Sequence, residues 1–148
     1  MESDLMPTMA AMAAANEQAL LDVFLPVRDP QERLALIVEA CAGPGVPEAA
    51  RREADLVPGC LSRVWLGGQT GQGRLELQWD AESPLVRGLA GLICQVYQNT
   101  PVAGAAEFRS RVITRLGLDR QLSPTRLRGL ASVEARIQEL ALAATRQA

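Results

Sequence analysis

Histidine is absent from this chain of 148 residues. Its absence removes both the commonest general base and the commonest metal ligand in proteins. No apolar run approaches the ~20 residues that a membrane-spanning helix needs, so the sequence predicts no membrane span. Fifteen basic residues stand against seventeen acidic ones, for a net charge of −2. That balance argues against a nucleic-acid surface, because such surfaces are usually strongly basic.

Cysteine is also scarce. The chain has three cysteines, at positions 41, 60 and 94, and no CxxC spacing. An odd number without close spacing argues against a disulfide framework. It favours a reducing, cytoplasmic location instead.

The first fifteen residues, MESDLMPTMAAMAAA, begin with acidic side chains and contain no arginine. They therefore lack the basic start of a signal peptide and the arginines of a transit peptide. We interpret residues 1–15 as a disordered extension, or as the product of a start codon assigned too early. Residues 16–148 are then long enough to form one domain with a core of its own.

The spacing of apolar residues predicts helices on both sides of a small sheet. Helical spacing begins at residue 16 and begins again after Asp29, a candidate N-cap. Two strand-like runs, 61–66 and 74–80, flank the glycine-rich stretch GGQTGQG. This arrangement predicts an antiparallel hairpin with a loose loop.

Later helices are signalled by Ser-Pro pairs at 83–84 and 123–124, which match an N-cap followed by proline in the first turn. A shorter helix over 105–118 is predicted between them. Gly88 and Gly91 each cost a helix roughly 0.5–1 kcal/mol relative to alanine, so we expect close packing there against the sheet or another helix. The expected fold is α+β, with a two- or three-stranded antiparallel sheet packed against N- and C-terminal helices.

The three cysteines have different surroundings. Cys41 and Cys94 fall within apolar helical patterns, so both are predicted to lie in the core as small hydrophobic residues. Cys60 instead follows Pro58-Gly59, at the end of a polar connection over residues 42–59. A connection of that length in a compact domain is usually functional or mobile.

Arginines occur at positions 51, 52 and 63, close to Cys60 in sequence. A nearby cation would favour the thiolate, which is the reactive form of cysteine. On these local features, Cys60 is either a functional thiol or a cysteine that fills a pocket at the entry to the strand.

Three separated motifs carry a resemblance to a known family. READLVPGCLSRVWL resembles the central motif of the SufE family, in which Gly-Cys-x-Ser-x-Val-Trp follows a polar loop. LELQWDAESPLVRGLAGLI is similar to the family's strand, acidic turn and Val-Arg-Gly-Leu helix. LGLDRQLSPTRLRGL is similar to its Leu-Ser-Pro-x-Arg-x-x-Gly-Leu signature. The resemblance covers roughly residues 16–142, with the motifs in the family's order.

This resemblance implies a sulfur acceptor with a SufE/NifU-like fold. SufE-like proteins take a sulfur atom from a pyridoxal-phosphate cysteine desulfurase, hold it as a cysteine persulfide and pass it to an iron–sulfur cluster scaffold. The pyridoxal phosphate belongs to the desulfurase, so no cofactor is expected here. We expect a cytoplasmic covalent carrier and desulfurase activator rather than a stand-alone enzyme. It would be a monomer or weak homodimer with no nucleic-acid or membrane partner.

The resemblance also assigns candidate site residues. Cys60 matches the persulfide-forming cysteine. Arg126 matches the arginine after Ser-Pro, which would steady a thiolate or persulfide, and is otherwise a solvated helix residue. Asp80 matches an acidic position near the cysteine loop, and is otherwise a turn residue at the hairpin end. Trp65 is expected to pack in the core or an interface. Arg63 replaces a commonly uncharged polar residue, which bears on partner choice.

Persulfide transfer is a thiolate attack on an outer sulfur and needs neither an acid–base dyad nor a metal, so the lack of histidine is no obstacle. Because a persulfide is readily oxidised or reduced, we expect Cys60 to be tucked against apolar neighbours at rest. The 42–59 connection would then swing it outward when the partner docks.

Two other functions are weighed against the sulfur acceptor. An iron–sulfur scaffold needs about three convergent thiolate or imidazole ligands. A thiol redox enzyme usually needs a nearby resolving cysteine. The scaffold is disfavoured because Cys41 and Cys94 are predicted to be buried in separate helices and the chain has no histidine. The redox enzyme is disfavoured because no second cysteine lies close to Cys60 in sequence.

Overall fold

The computed structural model describes residues 2–60 and 62–146. Met1, at the start of the predicted extension, Leu61 in the predicted strand, and residues 147–148 lie outside the described residues. Short 3-10 turns occur at Glu48–Ala50, Glu53–Asp55 and Leu118–Arg120. The longer elements are, in chain order, α1 Glu2–Phe24, α2 Pro30–Ala40, β1 Val64–Gly71, β2 Arg74–Ala81, α3 Pro84–Tyr97, α4 Val102–Glu107, α5 Val112–Arg115 and α6 Pro124–Arg146.

The two strands form an antiparallel hairpin whose register runs from Val64 opposite Ala81 to Gly71 opposite Arg74. Only Gln72 and Gly73 form the turn, and their φ angles of 58° and 74° are the left-handed values of a tight two-residue hairpin. The loose glycine-rich loop predicted at 67–73 is therefore mostly strand. The α+β prediction with a small antiparallel sheet is confirmed.

Helix α3 lies at the centre of the core, packed against α1, α2, α6 and β2. Its stretch from Gly88 to Cys94 is buried without a break. Gly88 and Gly91 allow the backbone of α3 to approach Val38 and Cys41 at the end of α2. The close packing predicted from these glycines is confirmed, with α2 as the neighbour.

Helix α1 is longer than the sequence predicted. The segment predicted as a disordered extension, residues 1–15, is helical from Glu2 onward. Ala13 is fully buried, and Asn16 Nδ2 donates to the Val96 carbonyl at 3.0 Å, so this part of α1 is packed on α3. Alanine has the highest helix propensity and needs little space, which explains how the alanine-rich stretch around Ala13 forms a packed helix.

The single helix predicted over 105–118 is replaced by two short helices with a break between them. At the break, Glu17 accepts from the Arg111 N–H at 2.7 Å, and Glu134 accepts from the Ser110 N–H at 3.0 Å. These carboxylates satisfy backbone donors that a continuous helix would have bonded internally. Among the described helices, none combines the length and the apolar character that crossing a membrane requires.

The contact between α2 and α3 yields the first prediction. A methyl group at Gly91 would overlap the Cys41 carbonyl oxygen and come within 2.8 Å of Trp79 Nε1. Because backbone and a buried indole cannot move aside cheaply, we expect Gly91→Ala to lower the free energy of unfolding by about 3 kcal/mol. Urea denaturation measures the change.

Gly71→Ala is the control, because a methyl group there meets only the flexible Glu76 side chain, at 3.1 Å. We expect a change below about 1 kcal/mol for this variant. Equal stabilities for the two variants would contradict the proposed contact.

Candidate functional site

Cys60 lies on an exposed turn that packs against the first half of α6. The turn is made by Pro58 and Gly59, and Gly59 has a φ of 82°, which favours glycine. Cys60 Sγ lies 3.6 Å from the Gly129 carbonyl oxygen of α6. The side chain is half-buried, whereas Cys41 and Cys94 are 1% and 0% exposed. Cys60 is therefore the accessible thiol of the chain.

Two glycines bring this turn close to α6. A methyl group at Gly129 would lie 3.4 Å from Cys60 Sγ, and one at Gly59 would lie 3.3 Å from Ser132 Oγ. The Gly-Cys pair and the Gly-Leu pair of the last motif thus meet across the site. The sequence separates Cys60 from Gly129 by 69 residues, but the fold brings them into contact.

A cavity of about 330 Å³ opens beside Cys60. One part of its wall is apolar and the other carries hydroxyl groups and a guanidinium. The apolar residues are Val86, Leu89, Leu130 and Val133, and the polar ones are Ser62, Ser83, Ser123, Thr125 and Arg126.

Two helices begin at this cavity. Ser83 Oγ accepts from the Val86 N–H at the start of α3, and Ser123 Oγ accepts from the Arg126 N–H at the start of α6. The predicted Ser-Pro caps are thus confirmed, and each also lines the cavity. Sequence reasoning missed that the two caps share one wall, although the repeated Ser-Pro pair was a usable signal.

Burial raises the pKa of the Cys60 thiol above its ordinary value. The expectation that a neighbouring arginine lowers this pKa is therefore wrong. Arg51 is engaged elsewhere: it pairs with Asp80 at 3.1 Å and its guanidinium lies 4.6 Å from the Trp65 ring centroid. Burial therefore favours the neutral thiol of Cys60 over the thiolate.

Asp80 is a buried carboxylate that binds a backbone N–H and an arginine of the 42–59 connection. Its Oδ2 accepts from the Val46 N–H at 2.8 Å and from Arg51 at 3.1 Å, and Arg87 lies 3.8 Å from its Oδ1. Burial alone would raise the pKa of this carboxyl, but the backbone hydrogen bonds from Val46 and Ala81, with Arg51 and Arg87, bring it below its ordinary value.

The rest of the connection is also tethered. Arg87 donates to the carbonyls of Ala42 and Gly43 at 2.9 and 2.6 Å. The Val57 N–H donates to the Val64 carbonyl at 2.8 Å, which fixes the far end to β1. The connection is thus hydrogen-bonded to α3 and the hairpin near both of its ends, and the swing predicted for residues 42–59 stays a prediction.

The predicted site residues fall into two groups. Cys60 and Arg126 meet at the cavity. Asp80 lies away from the cavity and binds the 42–59 connection. Trp65 is 9% exposed, and its ring lies against the Arg51 guanidinium. Arg63 is exposed just past the Cys60 turn, where its backbone N–H donates to Glu82 Oε1 at 3.1 Å. In the part of the chain that the structure describes, no group of three or more Cys, Asp or Glu side chains is arranged to hold a metal ion.

Fold and site together define a small α+β protein that presents one accessible thiol beside a partly apolar cavity. The SufE family model, described as an Fe-S metabolism associated domain, matches residues 18–141. The chain therefore belongs to the SufE family.

Individual relatives agree with this assignment. An uncharacterised SufE-like protein of Rhizobium etli is 28% identical over 90% of this chain and 95% of its own length. The sulfur acceptor protein CsdE of Escherichia coli K12 is 31% identical over 88% of both chains. The solution structure of a hypothetical protein from Thermus thermophilus has the same fold. Its TM-score is 0.72 at 22% identity, over 88% of this chain and 96% of that one.

The environment of Asp80 predicts how stability depends on pH. Its pKa is lowered in the folded state, so its contribution is complete above the ordinary carboxyl pKa of ~3.9 and is lost as pH falls further. At pH 7 we expect Asp80→Asn to cost about 3 kcal/mol, because Arg51 and Arg87 lose a buried partner. Urea denaturation from pH 7 to pH 2.5 should show that the difference in free energy of unfolding between wild type and Asp80→Asn shrinks as the pH falls.

Asp55→Asn is the matched control. Asp55 contacts Arg136 at 3.7 Å, but both side chains are 23% exposed. Solvent weakens such a pair, so we expect a cost below about 1 kcal/mol. If Asp80→Asn is as stable as the wild type at pH 7, or if its loss of stability is the same at pH 2.5, the ionised Asp80 carboxylate does not stabilise the fold as we expect.

Proposed function

We propose that this protein accepts sulfur from a pyridoxal-phosphate cysteine desulfurase onto Cys60, stimulates that desulfurase and relays the sulfur to an iron–sulfur cluster scaffold. The observation that carries the proposal is the single accessible thiol beside a partly apolar cavity. Membership of a family associated with Fe-S metabolism, and similarity to a sulfur acceptor protein, support the same role.

The transfer step balances without an oxidant or a reductant. The Cys60 thiolate attacks the outer sulfur of the partner's cysteine persulfide. A new S–S bond forms at Cys60 while the S–S bond to the partner's cysteine breaks. The partner's cysteine leaves as a thiolate and takes up the proton that Cys60 released. In the relay, a thiolate of the scaffold attacks the outer sulfur of the Cys60 persulfide, and Cys60 leaves as a thiolate.

The raised pKa of Cys60 supports a gated step. A neutral thiol is a poor nucleophile, so Cys60 at rest reacts more slowly with electrophiles than an exposed cysteine does. Moving the turn away from Gly129 and α6 removes the cause of the raised pKa, which is burial. The thiol then becomes more acidic when it meets the partner. After transfer, the cavity can shelter the outer sulfur from solvent.

Arg126 is the cation that we assign to the transferred sulfur. It lines the cavity with Cys60, and its backbone N–H bonds the cap of the same helix end. An arginine in the first turn of a helix is not favoured by the helix dipole, so its position is better explained by an anion in front of it. A persulfide formed on Cys60 is such an anion.

The cofactor belongs to the partner in this proposal. Pyridoxal phosphate attaches covalently to a lysine amine, and all fifteen basic residues of this chain are arginines. The chain therefore offers no lysine side chain for that bond. In this proposal the chain only accepts the sulfur, and the desulfurase carries the pyridoxal phosphate.

Two alternatives are weaker on this geometry. An iron–sulfur scaffold requires about three converging ligands, but Cys41 and Cys94 are sealed in the core. A thiol redox enzyme requires a resolving cysteine near Cys60, and the same burial removes both candidates. Neither alternative accounts for the cavity beside Cys60.

Incubation with a cysteine desulfurase and L-cysteine tests the acceptor role. We expect intact-mass and peptide mass spectrometry to find one or more added sulfur atoms on the Cys60 peptide alone. Cys60→Ser should lose both the added mass and the stimulation of the desulfurase. Cys41→Ala is the control and should keep both, because Cys41 is buried away from the site. Full stimulation by Cys60→Ser would overturn the proposal, and so would sulfur on other peptides.

Hydrogen exchange tests the gating. When the desulfurase is added, we expect faster amide exchange in the peptide that carries Cys60. The peptide over residues 42–56 is the internal control, because Asp80 and Arg87 hold it to the hairpin and α3. Equal protection of the Cys60 peptide in both states would show that the turn does not open.

A further inference from the structure

One arginine lines the Cys60 cavity, and two more lie next to residues of its wall. Arg126 belongs to the cavity wall, and Arg63 follows Ser62, another wall residue. Arg128 reaches the wall through Thr125, whose Oγ1 accepts from Arg128 Nη2 at 3.3 Å. All three arginines are exposed. We call Arg63, Arg126 and Arg128 the rim arginines.

The rim arginines have no carboxylate partner among the described residues, where the ion pairs involve only Arg51, Arg87 and Arg136. The carboxylate of Glu82 accepts from the backbone N–H of Arg63 rather than from its guanidinium. One wall arginine and two arginines next to wall residues are thus without an ion pair among the described residues, in a protein whose net charge is −2.

Unpaired charges at the mouth of a cavity point to a partner that brings the opposite charge. Guanidinium groups match carboxylates in a planar, bidentate geometry, so the matching surface carries Asp and Glu side chains. A basic patch on an acidic molecule also helps to orient it, because the patch is attracted to an acidic surface.

We propose that the rim arginines are the docking surface for a carboxylate-rich face of the desulfurase, and this rests on the proposed function. Docking there brings the acidic face directly over the Cys60 turn. Arg63 and Arg128 select the partner by its charge. Arg126 remains with the transferred sulfur inside the rim.

Association kinetics test the proposal on a desulfurase that transfers sulfur to Cys60. We expect Arg63→Gln/Arg128→Gln to lower the association rate constant about tenfold in 50 mM NaCl, since rim charges act mainly on encounter. The difference should shrink in 500 mM NaCl, where the screening length falls well below its ~10 Å value at 0.1 M. Biolayer interferometry measures both.

The matched control is Arg28→Gln/Arg115→Gln, which removes the same charge from two exposed positions outside the cavity wall. We expect its association rate constant to stay within about twofold of the wild type. Equal losses for the two double variants would overturn the proposal, because net charge alone would then explain them. A rim variant that binds like the wild type would overturn it too.

A reaction on the protein alone separates this proposal from the proposed function. Cys60 is accessible to a doubly anionic aromatic disulfide and to a neutral pyridyl disulfide, while Cys41 and Cys94 are buried. We expect the rate ratio of anionic to neutral reagent to fall severalfold in the rim variant and to stay unchanged in the control. An unchanged ratio would overturn the basic rim even if sulfur transfer occurs. A protein that accepts no sulfur would instead fail the mass measurement above.

Discussion

The carboxylate of Asp80 is the constraint on which the site depends. It binds a backbone N–H and an arginine of the connection together with an arginine of α3, and those arginines in turn bind carbonyls of the connection. A buried carboxylate needs such partners to remain charged. This cluster ties the connection to the hairpin and α3, and the turn that carries the thiol lies beyond it, against α6.

In the proposed function, the packing of this turn sets the chemistry of Cys60. Burial against α6 favours the neutral thiol, and release from α6 would remove that cause. Position rather than a resident base then controls reactivity, so the proposed sulfur transfer needs no histidine. The proposed role of the rim arginines is to select the partner that releases the turn.

The fold class, the helix caps and Cys60 could be predicted because each depends on local sequence. Ser83 and Ser123 precede proline, and Cys60 follows a Pro-Gly pair. The helical form of residues 2–15 could not be predicted, because it depends on whether the core has room for Ala13. The raised pKa of Cys60 was also out of reach. It follows from burial of the thiol, which packs against Gly129, 69 residues away in sequence.

The burial of Cys41 and Cys94 has a consequence for the protein when peroxide oxidises Cys60. Once peroxide converts Cys60 to a sulfenic acid, no second thiol of the same chain can reach it to form a protective disulfide. Its rescue must come from a small thiol or a reductase. Recovery of the Cys60 thiol after such oxidation therefore depends on reductants outside the chain.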